Sequence, residues 1–337
     1  MFTNFNKLIY IAMLLLGSVL TISNNSMLGM WMGLEINMMS FIPMLSEKNN
    51  ILSSEASLKY FLIQALSSSI FIMSSISMLN FSNLFPNIFE NLIILSLMIK
   101  LGSAPFHFWF PSIIEGLSWF NCFILFTWQK IAPLMIVSYF INNYMIYLYI
   151  ISSLIVGAIG GLNQSSIQKM IAYSSINHIG WMMSALKINI NMFMLYFLIY
   201  SIILLFIFNM MSTLDMMHMN QLVMFNNKSM VIKLIMMINF LSLGGLPPFL
   251  GFLPKWIIIQ NLLYFNMFML SLILILSSLM TLFYYIKIMM MSLMMNPSQQ
   301  KNYSLNLSFN KLNKFHILLM MMISLYSLIF LPFLVWN

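Results

Sequence analysis

The sequence predicts an all-α fold, a polytopic membrane helix bundle of about eleven transmembrane helices forming a single domain over residues 1–337. Composition is the first observation behind this: 61% of the residues are hydrophobic and 6% are charged, against roughly 25% charged in a typical soluble domain. Length is the second. A spanning helix needs about 20 mostly apolar residues, and with a short connection each span uses roughly 30. The chain is therefore filled by spans, with no room for a soluble domain.

The elements follow in order as apolar runs of spanning length. The first, 7–23, begins within MFTNFNKLIY, which lacks the Arg-rich amphipathic pattern of a matrix presequence. The chain is thus expected to be made inside an organelle or inserted without cleavage. Spans at 26–45 and 57–80 follow, the former centred on Glu35 in WMGLEINMMSF. The run 91–114 contains Lys100, Pro105 and His107, and the run 120–140 contains Cys122, Lys130 and Pro133. The next, 146–163, ends in GAIGGLNQ, where small residues point to close helix packing rather than to a phosphate loop. Then come 170–186 with YSSINHIGWM, 191–212, a broken span at 234–262 around LGGLPPFLGFLPKW, 265–289 and 315–335. The longest connections are 213–233 and the polar 290–314.

The charges test this order. All 14 basic residues are lysine. With the N-terminus on the inner side, Lys7, Lys48, Lys59, Lys169, Lys228, Lys233, Lys287, Lys301, Lys311 and Lys314 fall on that side and Lys187 on the other, as the positive-inside rule requires. The net charge of +8 is then topology signal and contact with anionic lipid, such as cardiolipin, and calls for no nucleic-acid partner. The 38 methionines, spread along the whole chain beside many Ile, Phe, Asn and Lys, fit an A+T-rich gene read by an animal mitochondrial code. The lone Cys122 allows no intrachain disulfide and no iron–sulfur cluster. No Gly-rich phosphate loop, HExxH or carboxylate cluster occurs, so no metal or cofactor is expected on this chain.

Glu35, Lys100, Lys130 and Lys255 remain inside spans, about ten residues from either end and hence near the midplane. A central Lys or Asp costs roughly 2.5–3.5 kcal/mol, and such residues mark ion or proton paths. Two other readings stand beside proton handling: lysines that snorkel to a headgroup, although the stem reaches only about one turn, and static Glu/Lys pairs that fix packing. Pro105, Pro133, and the group Pro247, Pro248 and Pro254 lie close to the three lysines. Each removes a backbone donor, and discontinuous helices beside midplane charges are typical of transporters. His107 and His178 read either as proton relays or as packed, hydrogen-bonded histidines. Glu47, Glu55, Glu90, Glu115 and Asp215 lie near span ends and His218 and His316 in or near loops, where solvated side chains are expected.

WMGLEIN, EASLKYFLIQALSS, APFHFWFP, TWQKIAP, GGLNQSSIQKMIAYSSINHIGWM and LGGLPPFLGFLPKW together resemble, in order and across nearly the whole chain, the NADH dehydrogenase subunit 2 family of mitochondrial respiratory complex I, with an insect-like character. The resemblance implies an antiporter-like inverted repeat with two broken helices. It implies that Glu35 and Lys100 form the charged pair of one half-channel, that Lys130 bridges along a hydrophilic axis, and that Lys255 belongs to the other half. It also places FMN, iron–sulfur clusters and ubiquinone in other subunits of an NADH:ubiquinone reductase that translocates protons. Membrane-arm neighbours, including other antiporter-like subunits, are expected to cover the face left by the leading helices that animal members lack. The expected location is the mitochondrial inner membrane, with the N-terminus in the matrix and the C-terminus in the intermembrane space. A free-standing cation/proton antiporter would share the same residues, but a cation site usually needs more than one membrane carboxylate, and Glu35 is the only central one.

Overall fold

Lipid offers no partner to a free N–H or C=O, so backbone bonding must close within each segment and apolar runs coil into helices. The computed structural model describes residues 2–46, 50–81, 86–214, 216–219, 221 and 230–294. They form α1 (Phe2–Ser23), α2 (Met27–Leu45), α3 (Ile51–Phe81), α4 (Pro86–Leu101), α5 (Trp109–Ile114), α6 (Trp119–Phe126) and α7 (Trp128–Val137). These are followed by α8 (Met145–Gly160), α9 (Ile167–Ile188), α10 (Ile190–Leu214), α11 (Met230–Gly244), α12 (Phe252–Tyr264) and α13 (Phe268–Met294). Among the described residues, six stretches are long and apolar enough to cross a membrane: Asn6–Ser23, Met27–Leu45, Ile51–Asn80, Trp119–Phe140, Ile190–Leu214 and Phe268–Met290. The chain is therefore a multi-pass membrane protein.

The expected spans coincide with these helices, with three differences. The run 91–114 is interrupted between Leu101 and Trp109. The run 120–140 is divided at Thr127, six residues before Pro133, which stays inside α7. Thr127 Oγ1 donates to Phe123 O at 2.7 Å, the back-bonding that bends helices. Lys7, Lys59, Lys169, Lys187, Lys233 and Lys287, expected in the connecting loops, lie on helices. The 31 residues of α3 exceed the roughly 20 that span, so its first turns, where Glu55 and Lys59 form an exposed ion pair, reach past the hydrocarbon. The eleventh span at 315–335, Lys48, Lys228, Lys301, Lys311, Lys314, Glu47, Asp215 and His316 lie outside the described residues.

The chain divides into two compact units, one of residues 1–156 and 178–187 and one of residues 157–177 and 188–337. In the first, α1 packs on α2, α2 and α4 flank α3, and α7 touches α1, α2, α4 and α6. The α1–α2 contact is backbone against backbone: a Cβ on Gly33 would lie 2.8 Å from Gly17 O, and one on Gly17 would lie 2.9 Å from Asn37 N. Small residues permit such approach in membranes, where close packing drives association. Gly33→Val is therefore expected to push α1 from α2 and cost about 1–3 kcal/mol, read as a lower thermal midpoint of the solubilised protein.

Edge-on aromatic pairs knit the interior of this unit. Phe41–Tyr60, Tyr60–Trp109, Trp109–Phe110 and Phe110–Phe126 have centroids 5.3, 6.0, 5.5 and 5.2 Å apart, the separations at which such pairs attract. Outward faces carry exposed Leu62, Leu66 and Met73, whereas Asn37, Gln64 and Ser67 are buried. Lipid suits the first set and internal bonding the second.

In the second unit, α10 packs against α11 and α12, and α13 against α11 and α12. The GAIGG stretch packs closely, as expected: a Cβ on Gly157 would lie 2.5 Å from Asn177 N, and one on Gly161 would lie 2.8 Å from the Tyr284 ring.

Candidate functional site

Both interrupted spans stop in the same way. At the end of α4, Gly102 has φ +67°; Gly102 N–H donates to Ile99 O and Ser103 N–H to Met98 O, each at 3.1 Å. At the end of α11, Gly245 has φ +82°; its N–H donates to Ser242 O at 3.1 Å and Leu246 N–H to Leu241 O at 3.4 Å. This is the Schellman arrangement, which favours glycine because a Cβ disfavours the left-handed region. Residues 102–108 and 245–251 then run without helix, past Pro105 in one and Pro247 and Pro248 in the other, and these prolines cannot continue the helical bonding.

A helix that ends in a membrane leaves carbonyls that need donors. In the first unit neutral side chains supply them. Trp109 Nε1 donates to Ile99 O at 3.1 Å, Gln64 Nε2 to Lys100 O at 3.3 Å and Ser103 Oγ to Met98 O at 3.2 Å. In the second unit the donor is charged: Lys255 Nζ donates to Leu243 O at 3.1 Å and to Gly244 O at 2.9 Å. The ammonium thus sits at the negative end of the α11 dipole, where a cation is stabilised.

Gly245 makes this possible by leaving space, since a Cβ there would lie 2.9 Å from Lys255 Cδ and 3.1 Å from Nζ. Gly245→Ala is expected to cost about 1–2 kcal/mol in left-handed strain and to displace the lysine. Gly102→Ala carries similar strain but meets Trp109 and Phe110 instead. Thermal midpoints should fall for both variants, and further for Gly245→Ala.

Lys100 and Lys130 line one cavity together with Leu34, Asn37, Tyr60, Gln64, Trp109 and Gln129. Its volume, taken over the positions open to the centre of a water-sized sphere, is about 20 Å³, and about 10–15 Å³ on that measure admits one water. Lys130 is 2% exposed and Lys100 8%. The Lys130 ammonium stands 5.7 Å from the Phe110 ring centre and 5.9 Å from that of Phe126, within reach of cation–π attraction. Tyr60 donates its hydroxyl proton to Gln129 Oε1 at 3.4 Å, and Gln129 Nε2 donates to Asn37 Oδ1 at 3.1 Å. This polar chain joins α3, α7 and α2.

Glu35, half-buried on α2, acts on Lys100 through space, and among the described residues no ion pair within 4.0 Å joins them. His107 is buried in the α4–α5 break, where Nδ1 lies 3.2 Å from Pro105 O. That non-helical path removes the shared face with Lys100 that an unbroken helix would have given. His178 is buried in the first unit, whereas Ser174, Ser175 and Asn177 belong to the second. Sequence reasoning passed over Asn37, Tyr60, Gln64 and Gln129 as site residues, although an amide inside an apolar run was visible at Gln64 and another directly before Lys130.

Chemically, the first unit holds two ammonium groups around a space that suits a single water, with a carboxylate near enough to bias one of them. With one of the two lysines deprotonated, such a set can pass a proton between them through a water in that space.

Comparison with known proteins gives a consistent result. A family model described as NADH:quinone oxidoreductase/Mrp antiporter, transmembrane, matches residues 24–281. NADH-ubiquinone oxidoreductase chain 2 of Anopheles gambiae is 47% identical over 308 residues, 90% of each chain. Its counterpart in Aedes aegypti is 48% identical over 326 residues, 95% of each chain. Among solved structures, a chain of respiratory complex I from Thermus thermophilus superposes with a TM-score of 0.78 at 24% identity, covering 86% of this chain and 70% of that one.

Proposed function

We propose, from the premise that the chain belongs to the NADH:quinone oxidoreductase/Mrp antiporter transmembrane family, that it is a core membrane-arm subunit of a proton-pumping NADH:ubiquinone oxidoreductase. The observation that carries this reading is the cavity shared by Lys100 and Lys130. Two cations in one membrane cavity repel each other, so a change of charge nearby shifts where a proton is held. Electrons pass from NADH to ubiquinone through FMN and iron–sulfur clusters in other subunits. Charge displacement there acts on Glu35 and Lys100, Lys130 carries the disturbance onward, and Lys255 answers it in the second unit. His107 and His178 are further relay candidates.

The proposed location is the mitochondrial inner membrane, with the N-terminus in the matrix and the C-terminus in the intermembrane space, and the chain forms one antiporter-like domain. Neighbouring antiporter-like subunits cover the face left by the absent leading helices, and lipids such as cardiolipin contact the rest. A free-standing cation/proton antiporter is the second reading, favoured only by the presence of Mrp antiporters in the family.

Native electrophoresis of mildly solubilised inner membranes, with NADH oxidation stained in the gel and peptides of this chain identified, decides between the two. The chain is expected only in the very large NADH-oxidising band; recovery in a small band without that activity would point to the free antiporter.

A further inference from the structure

We propose that Ser174, Ser175, Tyr196, Tyr200, Tyr284 and Tyr285 form a buried hydroxyl relay that carries protons through the second unit. The inference rests on the proton-translocating reading above. The six residues come from α9, α10 and α13, and each is at most 3% exposed. Tyr200 is hydrogen-bonded to Ser175, and both Tyr196 and Tyr200 lie close to Tyr285. Tyr284 and Tyr285 lie against Ser174 and against each other, with their rings 4.7 Å apart. Gly161 makes room for the Tyr284 ring.

Ordinary packing does not call for these oxygens. Phenylalanine would fill nearly the same volume at each tyrosine without burying a hydroxyl, which is costly unless it is hydrogen-bonded. The serines have already directed their own protons away, Ser174 Oγ to Ile171 O at 2.8 Å and Ser175 Oγ to Ala172 O at 2.7 Å. Their lone pairs remain for the phenols. A hydroxyl is both donor and acceptor, so once a serine hydroxyl turns from its backbone carbonyl to the next phenol, each oxygen can take a proton from one neighbour while releasing its own to the next. One O–H bond forms for each that breaks, and one proton leaves for each that enters. Such a relay needs no carboxylate, which suits a unit whose described membrane residues include Lys255 but no Asp or Glu.

The test uses the assembled complex in sealed vesicles and reads protons translocated per NADH oxidised and the solvent deuterium effect on that ratio, in Tyr200→Phe and Tyr285→Phe, with Lys255→Met alongside. A positioned proton-transfer group is worth on the order of a hundredfold in rate. Both phenylalanine variants are therefore expected to lose proton translocation as Lys255→Met does, with an altered deuterium effect that loss of packing alone would not produce. An unchanged ratio in both, with the ratio lost in Lys255→Met, overturns the relay and leaves the proposed function standing. An unchanged ratio in Lys255→Met itself overturns the reading on which the relay rests. Should the phenylalanine variants fail to assemble, Ser174→Ala is read in the same way: a lowered ratio supports the relay and an unchanged one overturns it.

Discussion

Lys100→Met is expected to assemble at close to wild-type abundance while translocating far fewer protons per NADH oxidised. Methionine keeps the unbranched stem and adapts to its surroundings. The charge it removes costs roughly 2.5–3.5 kcal/mol at the midplane, and among the described residues the Lys100 ammonium makes no hydrogen bond or ion pair that would be lost. The carbonyls at the end of α4 keep their donors, because Trp109, Gln64 and Ser103 supply them. What disappears is a titratable group on the cavity shared with Lys130, and a positioned proton-transfer group contributes on the order of a hundredfold. Native-gel abundance and the proton-to-NADH ratio, measured on one preparation, check both halves of this expectation. A fall in abundance matching the fall in pumping would instead mark Lys100 as a packing residue.

Lys255→Met is expected to fail differently, losing stability as well as coupling. Its ammonium is the donor to Leu243 O and Gly244 O. Methionine leaves those carbonyls at the end of α11 without that partner, and each unsatisfied buried group costs about 1–3 kcal/mol. The charge–dipole attraction at the helix end is lost as well. The thermal midpoint of the complex should therefore drop in Lys255→Met and hold in Lys100→Met. Equal midpoints in the two variants would contradict the different capping of the two breaks.

The break in 234–262 was legible in the sequence because glycine and proline act locally, and the same signal stands in the run 91–114, although that run reads as one continuous span. LGSAP and LGGLPP announce a left-handed stop followed by residues that cannot resume the helix. The division at Thr127 was hidden because it depends on a threonine folding back on its own helix, which Thr also does in helices that stay straight, and the more conspicuous Pro133 pointed to the wrong turn. The buried charges were visible from position alone, as lysines too far from either interface. Their surroundings were not. Asn37 and Gln129 meet across 92 residues of chain and Gln64 and Lys100 across 36, and such meetings are set by helix packing. The tyrosines of the second unit were missed for a related reason: a tyrosine in an apolar run reads as an aromatic filler until its hydroxyl is seen facing others.

The central claim is that Lys100 must change its protonation, which is stronger than the claim that it must be charged. Lys100→Arg separates the two, because guanidinium keeps the positive charge but does not lose its proton in proteins. The decisive measurement is the proton-to-NADH ratio of Lys100→Arg complex in sealed vesicles, beside wild type and Lys100→Met. The account predicts that the arginine variant assembles and fails to pump, as the methionine variant does. Pumping at the wild-type ratio would contradict it, reducing Lys100 to a fixed charge.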